Sequence, residues 1–218
     1  YGDAGAALDA RLPRLALSGL AVGGRPELFR ADGKVASLAV TDIAASVRMP
    51  PGGTADSRVG VGGVTLTDLA VTGTGPAKGE GGSLRSATVT GIRLLPATSS
   101  SPSQLEVADI RLAGLALATS RAPNGDIGLL KLIPPQRTAR QGAAAAGLPK
   151  VGAFSLTDAT LRFTDRAVKP VTSWTVTPLS ITARSRDGTL GSPLTLDLSG
   201  RLNGATSGAA VARNRVNP

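Results

Sequence analysis

The sequence predicts an all-β chain: a repetitive, curved antiparallel β-sheet forming an elongated groove, with a β-solenoid as the alternative architecture. Three observations carry this. Apolar residues recur at every second position over most of the chain, which puts alternate side chains on one face of a strand. The apolar set is aliphatic, with hydrophobic residues at 41% of the 218 and aromatic residues at 2%. That leaves little ring area for a thick core and suits a thin layer or an open apolar surface. Finally, the alternation slips phase at intervals, each time at a residue that tolerates unusual backbone geometry.

The first unit is Leu15-Ala-Leu17-Ser-Gly19-Leu20-Ala-Val22, with odd apolar positions before Gly19 and even ones after it. The same arrangement returns at Leu38-Ala-Val40-Thr-Asp42-Ile43-Ala-Ala45, Val64-Thr-Leu66-Thr-Asp68-Leu69-Ala-Val71 and Ala87-Thr-Val89-Thr-Gly91-Ile92-Arg-Leu94. Leu105-Glu-Val107-Ala-Asp109-Ile110-Arg-Leu112 and Phe154-Ser-Leu156-Thr-Asp158-Ala159-Thr-Leu161 complete the series. A one-residue slip would throw the second half of a strand onto the wrong face. A bulge or bend at Asp or Gly restores it, so Asp42, Asp68, Asp109 and Asp158 are expected to mark bends inside strands. The Thr, Val, Gly and Asp content and the absence of a 3.6-residue period exclude a helix. Units start at 15, 38, 64, 87, 105 and 154, and the last interval is about twice the usual one. Such spacing implies a quasi-one-dimensional stack in which each unit covers its neighbour.

Punctuation divides the chain into a β-repeat segment over 1–95, a second over 105–133, a linker over 134–149, a further β-unit over 150–203 and a loosely held tail over 204–218. The seam at 96–104 is rich in Pro and Ser and reads as a loop. The Ala run of the linker is expected to form a single helical turn. Asn124-Gly125-Asp126 reads as a turn leading into the Leu-rich Ile127–Ile133. Two strands follow at 174–183 and 194–202, joined through Asp187-Gly188.

The chain has no Cys and no His, which removes thiol nucleophiles, imidazole bases and the usual zinc sites. Ser18, Ser99 and Ser155 therefore have no imidazole to activate them. Asp158 and Asp165, like Asp42 and Asp68, are accounted for by the bends they occupy. The glycine-rich runs at 60–63 and 79–82 do not connect a strand to a helix carrying Lys-Ser/Thr, so they are not phosphate loops. No enzyme and no cofactor are expected. The net charge of +9, from 24 basic and 15 acidic residues, is dispersed and lacks rings for base stacking, so nucleic acid is not expected as a partner. Solvated Arg on outward strand positions explains it, with attraction to anionic lipid head groups as a further role. No apolar run approaches the roughly 18 residues of a membrane span.

Residues 105–133, with apolar halves followed by Leu117-Ala-Thr-Ser-Arg121-Ala-Pro-Asn-Gly125-Asp-Ile-Gly-Leu-Leu-Lys-Leu-Ile, resemble a unit of the AsmA-like family of Gram-negative envelope proteins. Phe154-Ser-Leu-Thr-Asp-Ala-Thr-Leu-Arg-Phe163-Thr-Asp165, then Pro170, Leu179 and Leu194-Thr-Leu-Asp-Leu-Ser-Gly200, looks like the unit that follows it. The resemblance covers about residues 105–202, and the first 95 only through the repeat. It implies a long β-groove across the periplasm, similar in design to bridge-like lipid-transfer proteins, that moves phospholipid between inner and outer membrane. It also implies an inner-membrane anchor outside this chain, and envelope proteins as partners. The groove face would carry Leu66, Leu69, Val71, Leu105, Val107, Ile110, Leu112, Leu156, Leu161 and Phe163, against phospholipid acyl chains. The alternative function is a structural or adhesive solenoid of the cell surface.

Overall fold

The structure is a computed structural model and describes residues 6–25, 29–49, 56–96, 103–133, 149–185, 194–204 and 210–216. The chain is all-β. Its strands are β1 (Ala6–Val22), β2 (Ala31–Met49), β3 (Asp56–Gly73), β4 (Gly81–Leu95), β5 (Gln104–Arg121), β6 (Lys150–Asp165), β7 (Thr172–Ser185), β8 (Leu194–Gly204) and β9 (Ala210–Val216). They form one open sheet in chain order. Two short 3-10 turns, Gly75–Ala77 and Gly128–Leu132, are the helical segments among the described residues. Successive neighbours in a single sheet are not the stacked coils of a solenoid, so that alternative is not the architecture here.

Bends fall where the phase slips. Gly19, Asp42, Asp68, Gly91 and Asp158 all have positive φ, between +50° and +65°. Gly lacks the Cβ that makes this region costly, and Asp is one of the few other residues that enters it. In β5 the residue with positive φ is Gly114, at +67°, and not Asp109. Asp109 lies in regular ladder, opposite Thr90 and Ala153. The reason is visible in β5 itself, where the phase slips twice, from Val107 to Ile110 and again from Leu112 to Leu115. The unit of β5 is therefore framed at Ile110, which brings its start into step with the others.

Every repeat strand has this double slip. Across β1–β5 each pair of neighbours keeps one register throughout, yet skips pairing at two levels. The first level carries Pro13, Ala36, Gly62, Arg85, Ala108 and, in β6, Gly152. Six residues later in each strand comes the residue with positive φ. Because the strands alternate in direction, these levels form two straight creases across the sheet. One runs through Gly19, Ala36, Asp68, Arg85 and Gly114 to Asp158. The other runs through Pro13, Asp42, Gly62, Gly91 and Ala108 to Gly152. Both strands of a pair are creased at the same height, so no extra residue is inserted and the register survives.

Backbones approach closely at the creases, which keeps the residues there small. A Cβ at Gly62 would lie 2.8 Å from the Asp42 Cβ, and one at Gly91 would lie 2.6 Å from the Ala108 Cβ. Arg85 is the large exception. Its side chain crosses over Gly114, where a Cβ would come within 2.8 Å of it, and reaches Asp158 on β6, Nη2 to Oδ2, at 3.3 Å.

The sheet departs from pure antiparallel pairing once, where β5 and β6 run parallel. The segment between them returns the chain to the same rim, which accounts for the doubled interval in the repeat. Its 134–148 portion, all of the expected 134–149 linker but Pro149, lies outside the described residues. So does the expected turn at Asp187-Gly188. The 96–104 seam joins β4 to β5, which are paired in the same sheet. Within the stretch read as a loose tail, 210–216 forms β9 on the free edge of β8. Pairing with an exposed edge needs backbone groups only, and so leaves no periodicity in the sequence.

The creases make a sign-reversed prediction. Asp68→Gly should be neutral or stabilising by up to about 1 kcal/mol, because it removes the Cβ from a left-handed residue. Asp109→Gly should destabilise by about 1 kcal/mol, because it loosens an extended strand. Urea unfolding of the two variants measures both signs.

Candidate functional site

Between the creases each of β1–β6 contributes two apolar side chains, and beyond each crease one or two more. The ladder aligns them into rows across the sheet. One row runs Leu17, Leu38, Leu66, Ala87, Leu112, Leu156 and continues into Ile181 and Leu198. The adjacent row runs Leu15, Val40, Val64, Val89, Ile110, Phe154 and continues into Ala183 and Leu196. These two rows are the floor. Outside one crease lies the row of Leu20, Val35, Leu69, Leu84 and Leu115, and outside the other the row of Leu12, Ile43, Val61 and Ile92.

Leu156, Ala159 and Leu179 form one buried cluster against which Leu112, Leu115 and Leu161 pack. Leu156 and Leu112 lie on the floor, Ala159 and Leu115 beyond the crease. The crease therefore brings both halves of a strand to the same face. Leu156 is only 6% exposed and Ala159 0%, although no second sheet covers them among the described residues. A single layer buries its own side chains to this degree when it curves towards them. The result is a trough: floor between the creases, walls beyond them, axis across the strands.

Nine of the ten residues expected on the groove face lie in aligned apolar positions of this face. Leu66, Leu112, Leu156 and Ile110 are on the floor. Leu69 and Leu161 are on one wall, and Val107 and Leu105 on the other, where Val107 pairs with Val151 and Leu105 with Leu94. Phe163 stacks on Trp174 across the β6–β7 pair, with centroids 5.6 Å apart and planes 11° from parallel. Val71 is the tenth, and it is covered. It packs against the cluster of Ala31, Ala77 and Leu132, which the two 3-10 turns bring over this rim. Backbone bonds hold that cover in place: Arg30 N–H donates to Leu132 O at 2.8 Å and Thr74 N–H to Arg30 O at 2.9 Å. Leu129 N–H donates to Thr119 Oγ1 at 3.1 Å. The Leu-rich 128–132 segment is apolar in sequence, but nothing in its pattern shows that it folds back as a cover.

The opposite face is polar, with Ser37 and Thr67 sharing a 2.6 Å hydrogen bond and Thr160 and Thr177 one of 2.8 Å. Near one rim lies a concavity of about 990 Å³ whose lining mixes Ala45, Val59, Leu94 and Leu95 with Arg11, Arg58 and Arg93. Arg58 is paired with Asp56 at 3.2 Å and both are solvated. Beside the cover, Arg121 at the end of β5 meets Asp165 at the end of β6, Nη1 to Oδ2 at 3.5 Å. Asp165 Oδ1 accepts the N–H of Ala167 at 2.9 Å. The ends of β5 and β6 are thus pinned to each other.

Compared with protein-family models, curated proteins and solved structures, the chain finds no match.

Because the trough floor is buried by curvature, its stability is uneven along each row. Leu156→Ala should cost about 3 kcal/mol, as a buried leucine does. Leu66→Ala, half-buried on the same row, should cost about 1 kcal/mol, in proportion to its smaller lost area. Denaturant midpoints of the two variants give the comparison.

Proposed function

We propose that this protein is a non-catalytic, lipid-binding segment of a periplasmic groove, holding phospholipid acyl chains in its trough and passing them along its axis between inner and outer membrane. The observation that carries the reading is the alignment of aliphatic rows across eight strands on one face of a single-layer sheet. Such a face is smooth in the direction of travel, because each row continues from strand to strand without a charge. Sheltering an acyl chain there is worth about 0.8 kcal/mol per methylene, enough to keep a long chain out of water. The polar face, with its dispersed Arg, suits the periplasm and anionic head groups. The resemblance of 105–202 to AsmA-like units supports the same assignment, with an inner-membrane anchor outside this chain and envelope proteins as partners. Envelope biogenesis is the process served.

Trp174 is the only tryptophan and stacks on a groove residue, so it reports on the trough directly. Purified protein should yield phospholipid on extraction and mass spectrometry, and phospholipid brominated along its acyl chains should quench Trp174. Leu112 and Leu161 pack against the buried cluster, so charges there would confound binding with folding. Leu66 stands clear of that cluster, and Leu66→Asp should lower bound lipid about tenfold, the effect of 1.4 kcal/mol, with the unfolding transition retained. Wild-type protein that carries no lipid and whose Trp174 is unquenched would sink the reading in favour of a surface stalk.

A further inference from the structure

The Gly128–Leu132 turn that covers one rim carries two apolar faces, and only one of them serves the cover. Side chains three apart eclipse each other in a 3-10 turn. Leu132 is buried with Ala31 and Ala77, and Leu129 packs against the same cluster. Ile127, Leu130 and Ile133, at the turn and its two caps, repeat that spacing on the outside. They are 40, 68 and 55% exposed. We infer that this rim docks on the surface of an anionic bilayer, its outward aliphatic residues entering the boundary between head groups and acyl chains and its free bases meeting lipid phosphates.

The rim is a single fixed ridge, built where β1, β3, β5 and β6 end and β2, β4 and β7 begin. The cover is bonded to the 23–30 and 74–80 connections through Arg30. At its other end Ile127 is bridged to Arg121, whose carbonyl accepts the N–H of Arg166 at 2.9 Å. The connection that follows adds Val168 and Val171, 41 and 58% exposed, and the 23–30 connection adds Phe29 at 40%. Single exposed aliphatic residues are ordinary on any surface, but a run of them on one ridge marks a contact.

The charges of the ridge select the partner. Its carboxylates are engaged within the protein. Asp32 accepts the Gly24 N–H at 3.0 Å, Glu80 the Ser120 hydroxyl at 2.9 Å, and Asp126 lies 3.7 Å from Lys131. Asp165 is held by Arg121 and Ala167. Arg25, Lys78, Arg166 and Lys169 are exposed on the same connections and have no carboxylate partner among the described residues. The ridge thus presents aliphatic residues flanked by unneutralised bases, the combination that binds anionic lipid surfaces. Protein interfaces are instead enriched in aromatic residues and depleted of lysine, and this ridge has one ring and three lysines. The contact uses the rim and not the floor, so it stands whether or not the trough holds lipid. Where the trough does, this segment is a place at which the groove meets a membrane.

Sedimentation with sucrose-loaded vesicles reads the contact. The wild type should bind vesicles containing phosphatidylglycerol about tenfold more tightly than phosphatidylcholine alone, and lose that preference in high salt. Ile127→Ser/Leu130→Ser changes only outward side chains and should weaken binding about tenfold. Arg166→Glu/Lys169→Glu should abolish the preference for phosphatidylglycerol. Leu66→Asp, on the floor, should bind vesicles as the wild type does, which separates the rim from lipid held in the trough. The chain has no cysteine, so bimane on Leu130→Cys reports insertion. Its emission should shift to the blue on anionic vesicles, while bimane on Thr65→Cys, exposed in the middle of the polar face, should not shift. A wild type that ignores anionic vesicles overturns the inference, as does undiminished binding by Ile127→Ser/Leu130→Ser or an equal shift at both labelled positions. A wild-type dimer that Ile127→Ser/Leu130→Ser dissolves would overturn it too, and assign the ridge to a second copy of the chain.

Discussion

A strand shows its side chains alternately on two faces, and the sheet depends on how that period is reconciled with a strand that turns two corners. A strand with an uninterrupted period would keep its apolar residues on one face only if it stayed gently curved. Here each repeat strand is bent twice, and at each bend two apolar residues three apart must share a face. The second bend is made by a left-handed residue, at a cost of roughly 1–2 kcal/mol where that residue is not glycine. The first is made by a small residue or proline facing the neighbour's left-handed one. Pairing a strained position with an undemanding one across every interface distributes the strain. No antiparallel neighbours among β1–β5 carry left-handed residues at the same height.

The parallel β5–β6 pair breaks that rule, and the structure responds where it breaks. Gly114 and Asp158 fall on the same crease because their strands run the same way. Glycine on one side relieves the crowding, and the Arg85 side chain passes over it to bind Asp158. Both partners are well exposed, so the ion pair contributes little by itself. Its effect is to tie three strands together at the one step where direction does not alternate. At the rim above, Arg121 and the buried Asp165 do the same for the strand ends. The first of these pairs explains why the large exception to the small-residue pattern, Arg85, sits in β4, one strand from the parallel step.

The all-β class, the strands and the left-handed positions were legible because Asp and Gly stand out in an aliphatic alternation. The first crease was not legible, since Ala36 and Ala108 look like any small residue between apolar ones. That is also why Asp109 was mistaken for a bend: the slip beside it belongs to the first crease, passed by Ala108. The period alone places nine of the ten expected residues on the aligned apolar face. Val71 could not be separated from them, because the cover over it comes from residues 128–132, far away in sequence and joined through backbone bonds that leave no pattern. The parallel pairing was hidden for a related reason, as direction is set by the connection between strands and not by their side chains.

The composition fits the mechanics of a single layer. A thick core gains most of its area from large residues locked between layers, and here no large side chain among the described residues is wholly buried. Burial comes from neighbours on the same face leaning together as the layer curves. Leucine and valine do this at each row without needing a partner from above, whereas a run of rings along the floor would fill the space that curvature creates. The two aromatic residues that do meet, Phe163 and Trp174, stack beside the covered rim. Floor rows with a single ring at Phe154, small residues at most corners and the Phe163–Trp174 stack beside the cover are therefore parts of one solution. They leave the trough open along its axis while each strand still buries enough of its neighbours to hold the sheet.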